Sequence, residues 1–508
     1  MFLFQKSFKS NSEKDHMKKE WSKSNKLLVF WILAIILLGA AALRLYNLEE
    51  ESLWLDECFT LDYASKSFTA LVETLKKDVH PIGYYLPQHL LIDHFGTGEI
   101  SLRILSVFFG VLSILLTYLL ARKLFSWKEG LLAAFFMSIS YTSILYSQEA
   151  KMYSMFAAFF LLSLITFIRF LERPSYFNSI FFSISMALVL YTHIIGLGVL
   201  LMYILFYATS YILREKTNSF HSFTKKREYS LSRFYAVLTI IFLLYLPWLK
   251  ILFFYQLPLL HDFLGMKLIE KTGINLLPVV LIIAVLLCLG YAIFLYLALV
   301  GKINLREICG YLKRISSFCS SEKILFLLML SFIILDFVLS KYLFSSVSIV
   351  RFCFFLLPFL YLTLSRILIQ IKRNVLAIIL FSLFILSASV ELHAYYSFDS
   401  KEQFHEAAEY VESHANSADV LFLHRATIAK LCFDYYYSNN VEEVRLINPG
   451  LDDYLLLERT SGKENAYLIL SHNYHTKDYF KQELDSLYEL TEEQEFIGVT
   501  VYKYKVKE

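Results

Sequence analysis

The segment Ser52-Leu53-Trp54-Leu55-Asp56-Glu57, called the acidic segment below, follows the first long apolar run of the chain, residues 27–43. An apolar run of about 20 residues is long enough to cross the hydrocarbon core of a bilayer. If residues 27–43 span a membrane, the adjacent carboxylates of Asp56 and Glu57 lie just outside it, at its surface. The first interpretation is therefore a membrane protein whose chemistry is organised around this acidic pair.

The composition of the whole chain is typical of a membrane protein. Of its 508 residues, 57% are hydrophobic and 18% are charged, and the mean hydropathy is +0.52. A soluble protein carries roughly 25% charged residues. The net charge of +3 says little, because the charges are divided between the two sides of the membrane. No nucleic-acid partner is expected, since the sequence shows no basic face free of the membrane. The first apolar run follows a long polar leader and precedes no cleavage site of small residues, which predicts an anchor that is retained.

The recurrence of long apolar runs predicts a polytopic α-helical membrane protein with about eleven transmembrane helices. The candidate spans are residues 27–43, 104–121, 130–147, 152–170, 177–193, 194–212, 234–252, 276–299, 324–343, 352–370 and 375–394. Residues 1–26 form a basic tail before the first span. A first outer loop over residues 44–103 holds the acidic segment and, at 59–75, a predicted amphipathic helix on the membrane surface.

The distribution of basic residues predicts which side of the membrane each end occupies. Lysines concentrate in residues 1–26, and Lys and Arg recur in alternate loops, such as those near Arg122 and Arg173. By the positive-inside rule, the N-terminus and these loops are cytoplasmic. An odd number of spans then places residues 395–508 on the extracytoplasmic side. A plasma (inner) membrane is the default location.

The last part of the chain changes composition and predicts a small extracytoplasmic α/β domain over residues 395–508. The pattern indicates helices at 401–414 and 477–489 and strands at 420–423, 466–470 and 496–505. Six scattered cysteines form no metal-binding or redox motif. Cys58 and Cys432 fall on the same side of the membrane, but their spacing alone defines no disulfide framework.

Several polar residues fall on the outer side beside the acidic segment. A carboxylate at Asp56 is suited to act as a general base, although a solvated acidic pair in a loop is the plain alternative. His80-Pro81 begins either a phosphate- or sugar-binding turn or a helix cap. Glu149 and Lys151 lie between two spans, where charged side chains are costly unless they are paired or functional. The functional interpretation is that they contact substrate, and the alternative is that they form an exposed ion pair at the tip of a loop. His193 and Arg351 are candidates for substrate binding. The alternatives are that His193 is a structural histidine and that the long Arg351 side chain anchors the end of a span by extending to the membrane surface.

The order of these motifs resembles the polyprenyl-phosphate-dependent membrane glycosyltransferases of the GT-C superfamily, which includes protein O-mannosyltransferases and the aminoarabinose transferase of lipid A. The motifs that carry the resemblance are Arg44 with Ser52-Leu53-Trp54-Leu55-Asp56-Glu57, His80-Pro81 with Tyr84-Tyr85-Leu86, Gly98-Glu99 with Arg103 and Ser106, Ser147-Gln148-Glu149-Ala150-Lys151-Met152-Tyr153, Tyr191-Thr192-His193 and Arg351-Phe352. The resemblance is good over residues 44–200, looser to 395 and faint beyond.

The resemblance implies a catalytic Asp56 in the first outer loop, with Glu57 beside it in acceptor binding. It implies that Glu149 and Lys151 flank the donor phosphate. The remaining residues expected to contact substrate are His80, Tyr153, His193 and Arg351. Two departures from the family pattern are Lys151, where Arg is usual, and Ile82, where a second Pro is usual. A lysine keeps the positive charge but loses bidentate recognition of phosphate.

The expected function is transfer of a sugar from a polyprenyl-phosphate donor to a lipid, glycan or protein acceptor on the extracytoplasmic side. Direct attack would invert the anomeric centre, with Asp56 as general base. No cofactor is certain, although the paired acids Asp56 and Glu57 could hold Mg²⁺ or Mn²⁺. The alternatives are a transporter or flippase of lipid-linked sugars, a lipid-linked glycan polymerase or ligase, and a non-catalytic membrane scaffold.

Overall fold

The first apolar run forms the second half of a long helix, α1, in the computed structural model. The structure describes residues 11–216, 231–262, 351, 354–399, 401–424, 428–447, 450, 452–471 and 477–506. The spans expected at 276–299 and 324–343 lie outside the described residues. So do the first ten residues of the basic tail and the last two residues of the chain.

The described part of the chain up to residue 399 is helical. Its helices are α1 (Asn11–Leu45), α2 (Leu55–Ala64), α3 (Phe68–Leu75), α4 (Tyr85–Phe95), α5 (Glu99–Leu124), α6 (Trp127–Ser138), α7 (Tyr141–Leu145), α8 (Tyr153–Glu172), α9 (Tyr176–Thr192), α10 (Gly196–Lys216), α11 (Leu231–Ile251), α12 (Leu357–Gln370) and α13 (Asn374–Ser397). A π-helical turn (Leu252–Gln256) extends α11, and a 3₁₀ turn (Phe354–Leu356) precedes α12.

Among the described residues, five helices are long and apolar enough to cross a membrane. They are Lys26–Leu45, Glu99–Leu124, Tyr153–Glu172, Leu231–Asp262 and Asn374–Ser397. Three shorter apolar helices accompany them at Tyr176–Thr192, Gly196–Ala208 and Phe354–Gln370. Outer faces of α1 and α13 expose many large apolar side chains, such as Leu38 and Val375, as expected of surfaces that face lipid. The chain is therefore a multi-pass integral membrane protein.

Two helices expected from the sequence are divided in the structure. The span predicted over 130–147 is wrong as one continuous helix, because α6 ends at Ser138 and α7 begins at Tyr141. Ser140 caps α7 by accepting from the N–H of Ser143 at 3.3 Å, and the buried Arg44 guanidinium donates to the carbonyl of Ser138 at 3.1 Å. These bonds satisfy polar groups that a helix break exposes.

The amphipathic helix predicted over 59–75 is also divided, into α2 and α3. Ser67 is the N-cap of α3, and its hydroxyl accepts from the N–H of Ala70 at 3.5 Å. Serine favours a cap over a helix interior because its side chain competes for backbone hydrogen bonds. The acidic pair consequently lies in the first turn of a separate ten-residue helix, α2.

Residues 401–506, called the C-terminal region below, form a five-stranded sheet with helices. Its elements are α14 (Phe404–His414), β1 (Val420–His424), α15 (Ile428–Tyr436), β2 (Glu442–Leu446), α16 (Asp453–Thr460), β3 (Asn465–Ser471), α17 (Lys477–Leu487), β4 (Glu489–Phe496) and β5 (Val499–Lys505). The strand order is β2-β1-β3-β5-β4. β1 runs parallel to β2 and β3, whereas β5 is antiparallel to β3 and β4.

The C-terminal region packs directly on residues 46–98, which connect the first two long apolar helices. Phe404, Ala407 and Val411 recur at helical spacing on α14 and are fully buried. They share one apolar cluster with Leu53 and Cys58 of this connection. The apolar core of the C-terminal region therefore continues into the helix that carries the acidic pair.

Candidate active site

Asp56 lies at the exposed end of α2, between two cations from distant parts of the chain. Its side chain keeps 30% of its surface exposed. Oδ2 accepts from Nη1 of Arg351 at 3.1 Å, and Oδ1 lies 3.9 Å from Nζ of Lys151. The structure thus brings together three residues that the sequence marked as candidates, within reach of one small substrate group.

Arg351 is oriented by aromatic neighbours. Its guanidinium lies over the ring of Trp54, 4.2 Å from the centroid, a cation–π geometry that favours a planar guanidinium. The charge of Arg351 also acts on the hydroxyl of Tyr146, where it opposes the rise in pKa that burial causes. Lys151 lies over the ring of Tyr85, 5.9 Å from its centroid. Both cations are held by rings as well as by the Asp56 carboxylate.

The Glu57 side chain is fully buried and does not share the cations that contact Asp56. Its Oε1 and Oε2 accept from Nε and Nη2 of Arg103 at 2.9 and 2.8 Å, and Oε1 also accepts from the N–H of Ala150 at 2.8 Å. Burial alone would raise the pKa of the Glu57 carboxyl, but the charges of Arg103 and Lys401 and these hydrogen bonds lower it to about 2. The carboxylate is therefore charged at neutral pH, and both of its oxygens accept hydrogen bonds from within the protein.

Glu149 lies on the buried side of the same cluster. Burial is the main reason that the pKa of its carboxyl is raised to about 8. The positive charges of Lys401 and Arg351 oppose this rise, whereas the negative charges of Glu57 and Asp56 add to it. Its Oε2 is buried without a hydrogen-bond partner among the described residues. A carboxyl of this kind is protonated at neutral pH and is available to donate a hydrogen bond.

His80 and His193 form a second part of the site. Their rings lie 5.7 Å apart, because Gly83 donates its N–H to the carbonyl of Tyr191 at 2.8 Å and a Cβ at Gly83 would collide with that carbonyl. Asp78 accepts from His80 Nδ1 at 2.7 Å. Close backbone contact between two turns therefore explains the glycine and joins the two histidines.

The charges around the two histidines differ. Burial would raise the pKa of Asp78, but His80 and Lys151 lower it well below its usual range. Burial lowers the pKa of the His193 imidazole to about 3, so this ring is neutral. Its Nδ1 accepts from the N–H of Ile195 at 3.1 Å, which places the ring proton on Nε2. Lys151 acts electrostatically on both Asp56 and Asp78 and connects the two parts.

Tyr153 begins α8 beside the carboxylates. Its ring lies 5.3 Å from that of Tyr146, edge to face, so the two tyrosines form one aromatic wall near Arg351. All eight candidate residues of the sequence analysis thus lie in or beside one cluster. Asp56 and Arg351 lie on its partly exposed side and Lys151 is buried beside them, whereas Glu57 and Glu149 face its interior.

The acidic pair does not fit a metal site in this arrangement. The two oxygens of Glu57 are occupied by Arg103 and a backbone N–H, and those of Asp56 face Arg351 and Lys151. Within the described ranges, no group of three or more His, Cys, Asp or Glu side chains could hold a metal ion. We derive no step through a metal ion.

Sequence reasoning missed three residues that complete the cluster. Asp78 and Lys401 stand in none of the sequence motifs, and Arg103 stands in one of them without a predicted partner. Lys401 Nζ lies 3.4 Å from Glu57 Oε2 across 344 residues of sequence. For Arg103, the signal was an arginine in the first turns of an apolar span, where a buried charge requires a partner. No comparable signal marks Lys401, which precedes an ordinary amphipathic helix.

Comparison with known proteins gives a partial match in sequence and a fuller one in fold. Residues 79–251 match the family described as dolichyl-phosphate-mannose-protein mannosyltransferase. This match covers less than half of the chain. No curated protein sequence matches the chain.

Solved structures of membrane glycosyltransferases align with most of the chain. The oligosaccharyltransferase AglB of Archaeoglobus fulgidus, in complex with an inhibitory peptide and a dolichol-phosphate, aligns with a TM-score of 0.54 at 13% identity, over 94% of this chain and 74% of AglB. The same enzyme in complex with Zn and sulfate aligns with a TM-score of 0.51 at 13% identity, over 93% and 72%. ArnT of Cupriavidus metallidurans in the apo state gives 0.47 at 11% identity, over 94% and 98%.

The alignments to AglB show the fold, and the matched family agrees with it. The resemblance to the GT-C membrane glycosyltransferases that the motifs indicated is therefore confirmed. The sugar, the acceptor and the roles of individual residues do not follow from the fold.

Proposed function

We propose that this chain, which has the fold of the GT-C membrane glycosyltransferases, transfers a sugar from a polyprenyl-phosphate carrier to an acceptor, with Asp56 as the general base. The observation that carries the proposal is the exposed Asp56 carboxylate with Arg351 at 3.1 Å and Lys151 at 3.9 Å. A base and two cations are the groups that this reaction requires at one place.

The chemistry assigns one task to each group. The acceptor hydroxyl or amine attacks the anomeric carbon, the new bond forms as the bond from that carbon to the phosphate oxygen breaks, and Asp56 accepts the acceptor's proton. The lipid phosphate leaves with one more negative charge, which Arg351 and Lys151 stabilise. One direct displacement inverts the anomeric centre. A phosphate is a good leaving group, so no general acid is needed.

Asp56 and a donor phosphate would compete for the same two cations, Arg351 and Lys151. A donor phosphate placed between Arg351 and Lys151 would share their charge and reduce the hold of both on Asp56. Donor binding would thereby release the carboxylate to face the acceptor. A planar guanidinium suits two phosphate oxygens, whereas a lysine supplies a point charge.

The donor and acceptor classes are supported by the proteins that share the fold. AglB is described in complex with a dolichol-phosphate and tethered to an acceptor peptide, and ArnT in complex with undecaprenyl phosphate. We therefore place a polyprenyl-phosphate sugar as the donor. A protein or peptide is the first acceptor to test, with a lipid or glycan as the other acceptors.

The orientation that we propose puts the acidic segment and the C-terminal region outside the cytoplasm. Cys58 and Cys432 form a disulfide in the structure, and disulfides persist in oxidising compartments. The concentration of lysines in residues 1–26 independently favours a cytoplasmic N-terminus. A bacterial or archaeal plasma membrane satisfies both.

The test is transfer of radiolabel from a panel of polyprenyl-phosphate sugars by the purified protein in native lipid extract, with peptides, lipids and glycans as acceptors. We expect label to move to one acceptor class, with inverted anomeric configuration by NMR. We also expect transfer to continue in a chelator, because side chains supply the positive charge. Donor that crosses vesicles unchanged and without transfer would contradict the proposal and favour a flippase. Growth of lipid-linked glycan chains would favour a polymerase.

A further inference from the structure

The acidic segment is held between the membrane helices and the C-terminal region. On the membrane side, Arg103 of α5 pairs with Glu57 and donates to the carbonyl of Ser52 at 3.1 Å. On the other side, the Ser52 hydroxyl donates to Glu406 Oε2 at 2.9 Å and accepts from the N–H of His405 at 3.1 Å. The segment therefore has its conformation fixed from two directions.

Lys401 is a buried cation of the C-terminal region that forms an ion pair with Glu57. Its Nζ lies 3.4 Å from Glu57 Oε2 and 3.8 Å from Glu51 Oε2, and it donates to the carbonyl of Gln148 at 3.5 Å. Burial lowers the pKa of its ammonium group, whereas the carboxylates of Glu57 and Glu51 oppose that effect. A buried charge is tolerated when it is paired, and loss of one partner leaves the other uncompensated.

The C-terminal region also accepts hydrogen bonds from two backbone N–H groups that closely precede Asp56. The N–H of Leu53 donates to the hydroxyl of Tyr436 at 2.7 Å, and the N–H of Leu55 donates to Glu402 Oε2 at 3.2 Å. Amides this close to a helix start would otherwise need water or a cap. The peptide that leads into Asp56 is thus fixed by side chains from the C-terminal region.

Covalent and apolar contacts tie the same two parts together. Cys58, two residues after Asp56, is disulfide-bonded to Cys432 of α15. Leu53 is fully buried in the cluster that contains Phe404 and Phe433. These contacts make the C-terminal region part of the support of the acidic segment.

The side chains of Trp54 and Asp56 differ from the rest of the acidic segment. Both contact Arg351, which belongs neither to α5 nor to the C-terminal region. The contacts from α5 and from the C-terminal region thus fix the backbone of the acidic segment and leave these two side chains beside Arg351. Such an arrangement sets the direction of a carboxylate without occupying it.

We propose that Lys401 is a positioning residue, which acts through Glu57 to hold Asp56 toward Arg351 and Lys151, and that the C-terminal region is a structural part of the active site. This inference rests on the proposed function and extends it. Glu57, on this account, fixes the acidic segment and does not bind the acceptor.

The experiment compares Lys401→Met, which removes the charge at similar length, with Lys401→Arg, which keeps the charge. Lys463→Met is the matched control, because Lys463 pairs with Glu442 at 3.1 Å in the same region and away from the acidic segment. We expect Lys401→Met to lower kcat by about 10–100-fold with donor KM changed less than about twofold, since small displacements of a catalytic group cost this much. Lys401→Arg should recover most of kcat, and the control should match wild type.

A second measurement, hydrogen–deuterium exchange of a peptide that covers residues 48–60, needs no activity. We expect faster exchange at Leu53 and Leu55 in Lys401→Met and unchanged exchange in Lys463→Met. The proposal is overturned if kcat and exchange are both unchanged, or if the loss of kcat only follows a loss of folded protein. If wild type shows no transfer, the proposed function fails and the exchange result alone decides on positioning.

Discussion

The guanidinium of Arg351 donates to Asp56 Oδ2 at 3.1 Å across 295 residues of sequence. The same guanidinium lies over the Trp54 ring at 4.2 Å. Two contacts within the protein therefore orient the plane of this guanidinium. A preorganised guanidinium is suited to receive a phosphate, because less freedom is lost when the complex forms.

Arg351→Lys tests this role. The lysine keeps the charge but loses the flat face that stacks on Trp54 and the paired donors that reach two phosphate oxygens. We expect the donor KM to rise by about tenfold, with a smaller change in kcat. Steady-state kinetics with varied donor measure it. Arg459→Lys, which alters a surface pair with Glu442, is the control, and an unchanged donor KM in Arg351→Lys would remove Arg351 from donor binding.

Glu149 predicts a pH dependence of stability. Its folded pKa is raised from 4.5 to about 8 by burial, so the folded protein keeps a proton that the unfolded chain releases. This contribution is complete below about pH 4.5 and is lost as the pH rises through about 8. We expect the thermal midpoint of wild type in detergent to fall over this range, and to fall less in Glu149→Gln, whose amide resembles the protonated carboxyl.

The exposed Glu73, which pairs with Lys76, supplies the control for that comparison. Glu73→Gln should keep the pH slope of wild type. Equal slopes in wild type and Glu149→Gln would mean that Glu149 is ionised in the folded protein at neutral pH.

The disulfide between Cys58 and Cys432 predicts that reduction weakens the hold on the acidic segment. The two cysteines are 374 residues apart, and closing so long a loop contributes about 2–4 kcal/mol to the free energy of unfolding. We expect reductant to lower the thermal midpoint of wild type and to leave Cys432→Ala, already lower, unchanged. Peptide mapping without reductant should recover the cross-linked pair. Alkylation of both cysteines in unreduced, folded protein would contradict the bond.

The sequence predicted the membrane character and several spans because apolar length depends on local composition alone. The helices at 99–124, 153–172 and 374–397 are each long and apolar enough to cross a membrane. The turn at His193, with almost no loop between α9 and α10, also follows the prediction. The division of 130–147 did not follow, because Arg44, from another helix, stabilises the break.

The sequence predicts which residues belong to the candidate site. It does not predict which of them form ion pairs and hydrogen bonds with one another. Asp56, Lys151 and Arg351 could be named because charged residues beside apolar spans require a function or a partner. The assignment of each partner depends on tertiary contacts. Glu57 is next to Asp56 in sequence, yet the rotation of about 100° per residue in a helix directs its side chain to Arg103 and Lys401. Residue type and spacing do not reveal this environment.

The strands of the C-terminal region show the same limit. β1 and β3 are apolar runs buried on both faces and were predicted from that pattern. β2 and β4 are edge strands with many charged residues, such as Glu442 and Glu489, and they were missed. Edge strands need little apolar surface, since one side of their backbone lacks a neighbour.

The measurement that tests the central claim most directly is the turnover of Asp56→Asn with the donor that the panel identifies. Asp62→Asn is the matched control, because Asp62 lies on the same helix, pairs with Lys66 and has 31% of its side chain exposed. We predict that Asp56→Asn lowers kcat by about 10²–10⁴-fold, the usual contribution of a general base, while Asp62→Asn stays within about twofold of wild type. Turnover in Asp56→Asn equal to wild type would contradict the account.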